Sequence, residues 1–390
     1  MNYTFMNREA ELFDIVTSDA FFVKDVSNLR AENARLVPIG MRKNGRLDLS
    51  PNSFSKWWAE RRIPLNREGI ENIDASLAEK SMGLSLSDQY WIRPDKSIDK
   101  SIDKNIDWKA VNFFHNSFSN SVGELLVSGQ GNAFASHVSD PGSVRSSSIS
   151  PDFATSGTQR KRWKAQNRER RLLKYGNAKN SFAQPYREEF ASRLLSLALY
   201  PGFAVPYKSV KRVNSDGEVT CYSVCDNFIN STSEFVPMHS MLEAKGLQPT
   251  YAQAKEMYGN YGYVLDMMLI VDYIVLNIDR HLGNFGFIRS ATTGRILKPA
   301  PIFDSGSSLL FDCGRIEDAF VYARPFHLDF DTQISEVNVR AYREGLTRIK
   351  DSFREVFWRV FRLSPEAKIK GRLEFLLALS ESQLKKLMRS

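Results

Sequence analysis

Two short segments hold the residues best suited to chemistry. Asn277–Phe287 reads NIDRHLGNFGF, and Pro301–Leu309 reads PIFDSGSSL. The first follows an apolar stretch but is too polar and too broken by glycine to continue a helix, so Asp279, His281 and Asn284 are expected on one loop. The second sets Asp304 after an apolar triplet and before Ser305-Gly306, where a chain leaving a strand can turn sharply. A carboxylate that accepts a proton, an amide oxygen and a second carboxylate make a hard-oxygen set. Such a set suits Mg²⁺, which keeps waters and binds through one or two carboxylates plus substrate phosphates. It also matches phosphoryl transfer, with one base to orient the acceptor hydroxyl and ligands that hold metal against the phosphates. A lysine on an upstream strand and a glutamate on the next helix would complete the site. Lys174 and Glu188 occupy those places, and burial tolerates them better as a pair than singly.

The elements needed to position these groups can be read around them. Arg171–Lys174 is expected as a short strand. Pro185–Leu199 reads as an amphipathic helix, with Pro at its start and acids in its first turn. Val205–Val213 and Val219–Val224 read as a hairpin turning at Asn214-Ser215-Asp216-Gly217. From Tyr251 onward the signals are helical, apart from a loop-rich section between Asp279 and Asp331. Before this region, Met1–Ala20 reads as a short strand and turn, and Val37–Leu49 as a hairpin around Lys43-Asn44-Gly45. Ser53–Arg62 reads as a helix with Ser53 as N-cap, and Asn66–Ser81 as a second helix. Ser97–Trp108, a tandem SIDK-SIDK-NIDW, reads as a solvated linker. Val111–Val127 is aromatic and packable. Gly129–Pro151, rich in Ser and Gly, is the best inter-domain boundary. The expected division is an N-terminal accessory domain (1–128), a linker (129–150), a strand-rich lobe with hinge (151–230) and a helical lobe (231–390).

The ordered set Asp279-Arg-His-Leu-Gly-Asn284-Phe-Gly and Phe303-Asp304-Ser-Gly-Ser-Ser-Leu resembles the C-terminal kinase domain of HipA-like bacterial Ser/Thr kinases. The resemblance extends back through Ser150-Pro-Asp-Phe-Ala-Thr-Ser-Gly157-Thr-Gln-Arg-Lys161-Arg-Trp, Leu172-Leu-Lys174-Tyr-Gly and Tyr186-Arg-Glu188-Glu-Phe-Ala-Ser. It covers roughly residues 150–390. Gly83–Trp91 and Trp108–Leu126 resemble the N-terminal part of a subgroup of these proteins. The implied fold class is α+β: a two-lobed, protein-kinase-like fold with an N-terminal α+β accessory region and a mainly helical C-terminal lobe. The implied cofactors are ATP and Mg²⁺. By motif position, Asp279 would be the catalytic base, and Asn284 and Asp304 the metal ligands. Lys174 would meet the α- and β-phosphates, held by Glu188; Glu188 matches the family spacing to Ala-Ser better than its neighbour Glu189. Thr155–Lys161, with Gly157, Gln159 and Lys161, would cover the phosphates, and Cys225, Asp226 and Phe228 would form the hinge that meets adenine. His281 is counted with the catalytic loop, as a brace for it. The covering loop has one glycine where such loops usually have three. In the best-known members this loop is autophosphorylated, and here Thr155, Ser156 and Thr158 supply the hydroxyls. The resemblance also implies a protein substrate and a separately encoded, antitoxin-type DNA-binding partner.

Composition narrows the alternatives. The chain has 390 residues, 42% apolar, enough to bury a large core. Three cysteines (Cys221, Cys225, Cys313) are too few for a disulfide framework and lack structural-zinc spacing; with His239 the first two would need further ligands to hold a metal. No secretory leader is apparent at Met1–Ala10, and the most apolar stretch, Tyr261–Ile278, is interrupted by Asp266, Asp272 and Asn277. A cytoplasmic protein without a membrane span is expected. Residues 1–150 carry a net charge of −1 and residues 151–390 of +9, with eight basic side chains in Gln159–Lys174 alone. That run could face nucleotide phosphates, nucleic acid, or only solvent. Two readings stand beside a protein kinase: a lipid or small-molecule kinase with the same site, and a catalytically silent kinase-like fold binding nucleic acid through residues 159–174. Trp57-Trp58 reads as packing, and Phe320–Phe326 as a peptide-contacting segment or core.

Overall fold

The computed structural model describes residues 1–18, 21–64, 66–67, 81–94, 112–115, 118, 120–128, 150–166, 169–312 and 322–389. The tandem repeat at 97–108, most of the expected helix at 66–81, nearly all of the Ser/Gly-rich boundary, Cys313 and Phe320 lie outside these residues. Among the described residues the fold mixes α and β, with two four-stranded sheets, a three-stranded sheet and a two-stranded ribbon.

The first sheet runs β3 (Val23–Ser27), β2 (Ala10–Thr17), β1 (Asn2–Asn7), β6 (Tyr90–Pro94), all antiparallel. The N-terminal strand and turn is thus a full hairpin inside a larger sheet. Phe5 and Phe13 are buried and meet helix α1 (Pro51–Glu60) through Phe54, Trp57 and Trp58. The cap of α1 is Ser50, not Ser53: its side chain accepts from Ser53 N at 3.2 Å, and Pro51 takes the first helical position, where its missing N–H costs nothing. The ribbon β4 (Arg42–Lys43) and β5 (Arg46–Leu47) turns at Asn44 and Gly45, both with positive φ, as Asn-Gly requires.

The second sheet, β7 (Lys161–Gln166), β8 (Glu169–Tyr175), β10 (Val219–Asp226), β9 (Lys208–Val213), carries the basic run. Helix α2 (Asn120–Val127) packs on β7. Trp163 of β7 belongs to the same hydrophobic core as Phe5, Phe54 and Trp91, so the two sheets share packing. Helix α3 (Ala183–Ala198) lies behind this sheet and is not amphipathic: 11 of its 16 residues are buried, Arg187, Glu188 and Glu189 among them. Its polar groups are matched from elsewhere in the chain, Arg187 by Glu366 at 2.5 and 3.0 Å. The helix also begins before Pro185, so the acids fall in its second turn.

The third sheet is β11 (Ser233–Pro237), β12 (Gly286–Ser290), β13 (Ile296–Pro299). Two of its strands, β12 and β13, lie inside the section expected to be loop-rich. The remainder is helical: α4 (Met238–Lys245), α5 (Tyr251–Tyr258), α6 (Gly262–Val275), α7 (Phe330–Ser335), α8 (Arg343–Phe361) and α9 (Arg372–Arg389). These pack with α3 into one core around Phe190, Phe353, Phe357 and Phe361. None of the described helices is long and apolar enough to cross a membrane.

The N-terminal sheet is fixed to the third sheet by a buried polar network. Arg289 on β12 reaches Glu234 at 2.6 Å and Tyr90 Oη at 3.0 Å, and also donates to Arg35 O. Tyr90 Oη meets Glu234 at 3.1 Å, and Gln89 Nε2 donates to Asn230 O at 2.9 Å and Ser233 O at 3.1 Å.

Candidate active site

Helix α6 ends at Val275, and Leu276 adopts a left-handed conformation that stops it. The next turn carries Asp279, His281 and Asn284. His281 N donates to Asp279 O, Asn284 N to His281 O, and Gly283 N to His281 Nδ1 at 3.1 Å, so the imidazole closes the turn on itself. Asn284 is buried and commits Nδ2 to Asp279 O at 3.0 Å, leaving Oδ1 as its available atom. Among the described residues no group donates a hydrogen bond to the Asp279 carboxylate. Desolvation and the nearby Asp304 charge raise this carboxyl above its ordinary value, against His281, Arg324 and Arg280. Burial lowers His281, against the pull of Asp279 and Asp304.

Asp304 arrives from a different direction. Ile302 bridges in parallel to Ala204, with Val205 N–Ile302 O and Ile302 N–Phe203 O both 2.9 Å, which anchors the chain entering the turn. Asp304 then takes φ of +60°, a conformation rare for any residue but glycine, Asn or Asp. Two backbone bonds, Ile278 N–Ser307 O (3.0 Å) and Leu309 N–Val275 O (2.8 Å), lay this turn against the Asp279 loop.

Lys174 on β8 completes the cluster. It is 2% exposed; its Nζ lies 2.5 Å from Glu188 Oε1 on α3 and also hydrogen-bonds Asp304 Oδ1. Glu188 Oε2 accepts from Ser223 Oγ on β10 at 2.7 Å. Burial alone would favour neutral lysine, but the two carboxylates outweigh it and hold Lys174 charged. Burial would likewise raise Asp304, but Lys174 and Lys161 hold it well below the usual carboxylate range. Glu189 turns the other way, to Arg193 at 2.8 Å and to Ser209 N and Oγ at 2.7 and 2.6 Å.

A second lysine stands beside the first. Lys161 on β7 pairs across the ladder with Lys174, so both side chains point to one face. Lys161 is buried, and nothing among the described residues accepts a hydrogen bond from its ammonium. Burial pushes it down to about 7, with Asp304 opposing and Lys174 reinforcing. Gly157 has φ of +90°, and a Cβ there would lie 2.6 Å from Lys161 Nζ, so glycine lets the loop pass directly over the ammonium. The amides of Ser156, Gly157 and Thr158 have no acceptor among the described residues. Gln159 is turned away, with Nε2 donating to Tyr175 O at 3.1 Å.

The expected hinge residues divide. Cys225 is buried with Val205 and Tyr207, and Leu172, Phe228 and Phe303 pack against that cluster, next to Lys174 and Asp304. Asp226 is exposed and pairs with Arg171 at 3.1 Å. The basic run also divides. Lys161 and Lys174 face the site, while Arg162, Lys164 and Arg171 lie on the opposite face of the sheet with Arg212. Phe326 packs on Tyr251 and Phe285, which makes it core.

Sequence reasoning gave no role to Arg280, Asp272 or Ser305. Arg280 is fully buried and donates to Asp272 (2.7 and 3.1 Å), Ser305 Oγ (2.7 Å), Asn284 O (3.2 Å) and Phe303 O. One guanidinium therefore joins α6, the Asp279 loop and the Asp304 turn. The available signal was Asp272, a carboxylate inside an otherwise apolar helix.

Asp304 and Asn284 Oδ1 offer hard oxygens of the kind Mg²⁺ takes together with phosphate. Among the described residues no group of three or more His, Cys, Asp or Glu side chains is placed to hold a metal by itself. A metal held by Asp304 and Asn284 would take its remaining ligands from substrate oxygens or water. His239 pairs with Glu60 at 3.1 Å, and Cys221 and Cys225 are free thiols.

No family model and no curated protein matches the chain. Among solved structures it is similar to one described as the crystal structure of a Helicobacter pylori proinflammatory kinase, CtkA. That likeness has 18% identity and a TM-score of 0.43, and covers 59% of this chain and 89% of that one.

Proposed function

We propose that the protein is an ATP- and Mg²⁺-dependent phosphotransferase of HipA-like type, acting on a Ser/Thr hydroxyl of a protein. The observation that carries this reading is Lys174, buried between Glu188 and Asp304, whose turn lies against the Asp279–Asn284 loop. A buried lysine with two carboxylates is costly as a stability device alone. It is economical where phosphate oxygens and a metal enter, because Asp304 can exchange its share of the lysine for the metal.

In this reading Asp304 and Asn284 hold the metal, which when bound neutralises phosphate charge. Lys174, oriented by Glu188, and Lys161 with the amides of Ser156–Thr158 hold the phosphates. Leu172, Val205, Cys225, Phe228 and Phe303 form an apolar ledge for the base. Asp279 orients the acceptor hydroxyl and takes its proton as the oxygen bonds to the γ-phosphorus and the bond to the β-phosphate oxygen breaks, releasing ADP. Its raised carboxyl is suited to receiving that proton. Ser/Thr specificity and a place beside an antitoxin-type DNA-binding partner rest on the motif resemblance.

The test is incubation of purified protein with γ-labelled ATP and Mg²⁺, beside Asp279→Ala and Asp304→Ala, with label read on the protein and on a host lysate. Transfer by the wild type and by neither variant supports the reading. Absence of both transfer and nucleotide binding in the wild type overturns it.

A further inference from the structure

The carbonyl groups leading into β7 are held from outside their own lobe. Ser85 Oγ donates to Ala154 O at 3.3 Å. Arg67, on the turn after α1, donates from Nε to Gly157 O at 2.9 Å and from Nη2 to Ser156 O at 3.1 Å and Thr155 O. Arg67 is 2% exposed and forms no ion pair among the described residues. Its Nη1 has no hydrogen-bond partner there. Burial pushes the guanidinium down to about 10, partly offset by the charge of Asp152. A buried cation whose hydrogen bonds all go to the main chain of one loop is an expensive arrangement, and its planar fork spans three consecutive carbonyls in a way no ammonium can. The same three residues border the free amides above Lys161. The chain that carries Arg67 is in turn anchored through Ser85, Gln89 and Tyr90 to the rest of the molecule.

We infer that Arg67 is a positioning residue through which the N-terminal region sets the geometry of the 155–157 loop, keeping its amides directed at a nucleotide's phosphates. The nucleotide part of this inference rests on the kinase reading; the restraint on the loop does not.

Two measurements on the full chain test it, using wild type, Arg67→Lys and Arg67→Ala. The first is hydrogen exchange of the 154–159 backbone in the free protein. Arg67→Ala should speed exchange there by about tenfold or more, with Arg67→Lys in between, while β11–β12 amides stay as protected as in wild type. The second is MgATP titration by calorimetry. Arg67→Ala should weaken binding by about tenfold and raise KM for ATP more than it lowers kcat. Unchanged exchange at 154–159 in a folded Arg67→Ala protein overturns the inference, as does unchanged MgATP affinity despite faster exchange. If Arg67→Ala unfolds, Arg67→Lys carries the same comparison. If wild type binds no MgATP, the kinase reading fails, and the exchange result alone decides whether Arg67 restrains the loop.

Discussion

Arg280 and Asp272 meet twice, Nε to Oδ2 at 2.7 Å and Nη2 to Oδ1 at 3.1 Å, with both side chains buried. Because the rest of the guanidinium ends on Ser305, Asn284 and Phe303, the pair sets the spacing of the two loops that carry Asp279 and Asp304. Breaking a buried pair from one side leaves a charge without its partner. Asp272→Asn should therefore destabilise the protein by about 3 kcal/mol. Urea denaturation checks this. Phosphoryl transfer should fall by more than the folded fraction does.

Glu188 and Glu189 are neighbours with opposite tasks. On the proposed reading, Glu188→Gln should reduce label transfer at least a hundredfold, since Lys174 loses the group that aims it. Glu189→Gln should leave transfer within about threefold of wild type and cost about 1 kcal/mol through its bonds to Ser209. Equal loss of transfer in both would contradict the assignment.

Lys161 makes a prediction about protons. Its value in the folded protein, about 7, lies below the ordinary lysine value of 10.5. The folded state thus binds fewer protons than the unfolded state between these limits. This group's contribution to stability is present above 10.5 and is lost as pH falls through about 7. A phosphate placed beside it would restore the charge. MgATP binding at pH 8 should be accompanied by proton uptake, seen as a buffer-dependent binding enthalpy, and Lys161→Met should abolish that uptake.

Gly83 tests the N-terminal core. It has φ of +65°, and a Cβ would fall 1.9 Å from the Trp58 ring. Gly83→Ala should cost about 3 kcal/mol, combining overpacking with left-handed strain. Thermal denaturation followed by tryptophan fluorescence would report it, and a near-neutral result would mean that Trp58 is loosely held.

Local chemistry was the readable part of this sequence. Asn44-Gly45 and Asn214–Gly217 announce their turns because few residues accept positive φ. The polar, glycine-broken stretch after α6 marks the Asp279 loop for a similar reason. Helix α3 reads as amphipathic because Arg187 and Glu189 look solvent-facing until Glu366 and Ser209 are known to meet them. Those partners are supplied from far along the chain, which no periodicity reports. The strands β11 to β13 are short, and β12 is buried throughout, so the alternation that betrays a half-exposed strand is absent. The cap of α1 lies at Ser50 rather than Ser53, because Pro51 fits the first helical position and moves the start three residues earlier than Ser53 alone suggests.

The shared packing around Trp163 bears on how the chain could be divided. A shortened chain starting at residue 150 would leave Trp163 and Leu172 without the N-terminal part of the core they share, and would remove Tyr90 from the buried Arg289–Glu234 pair. Such a fragment should be prone to self-association. Supplying residues 1–128 in trans should suppress that tendency, so the two pieces would recognise each other as a complex rather than merely follow one another in a chain.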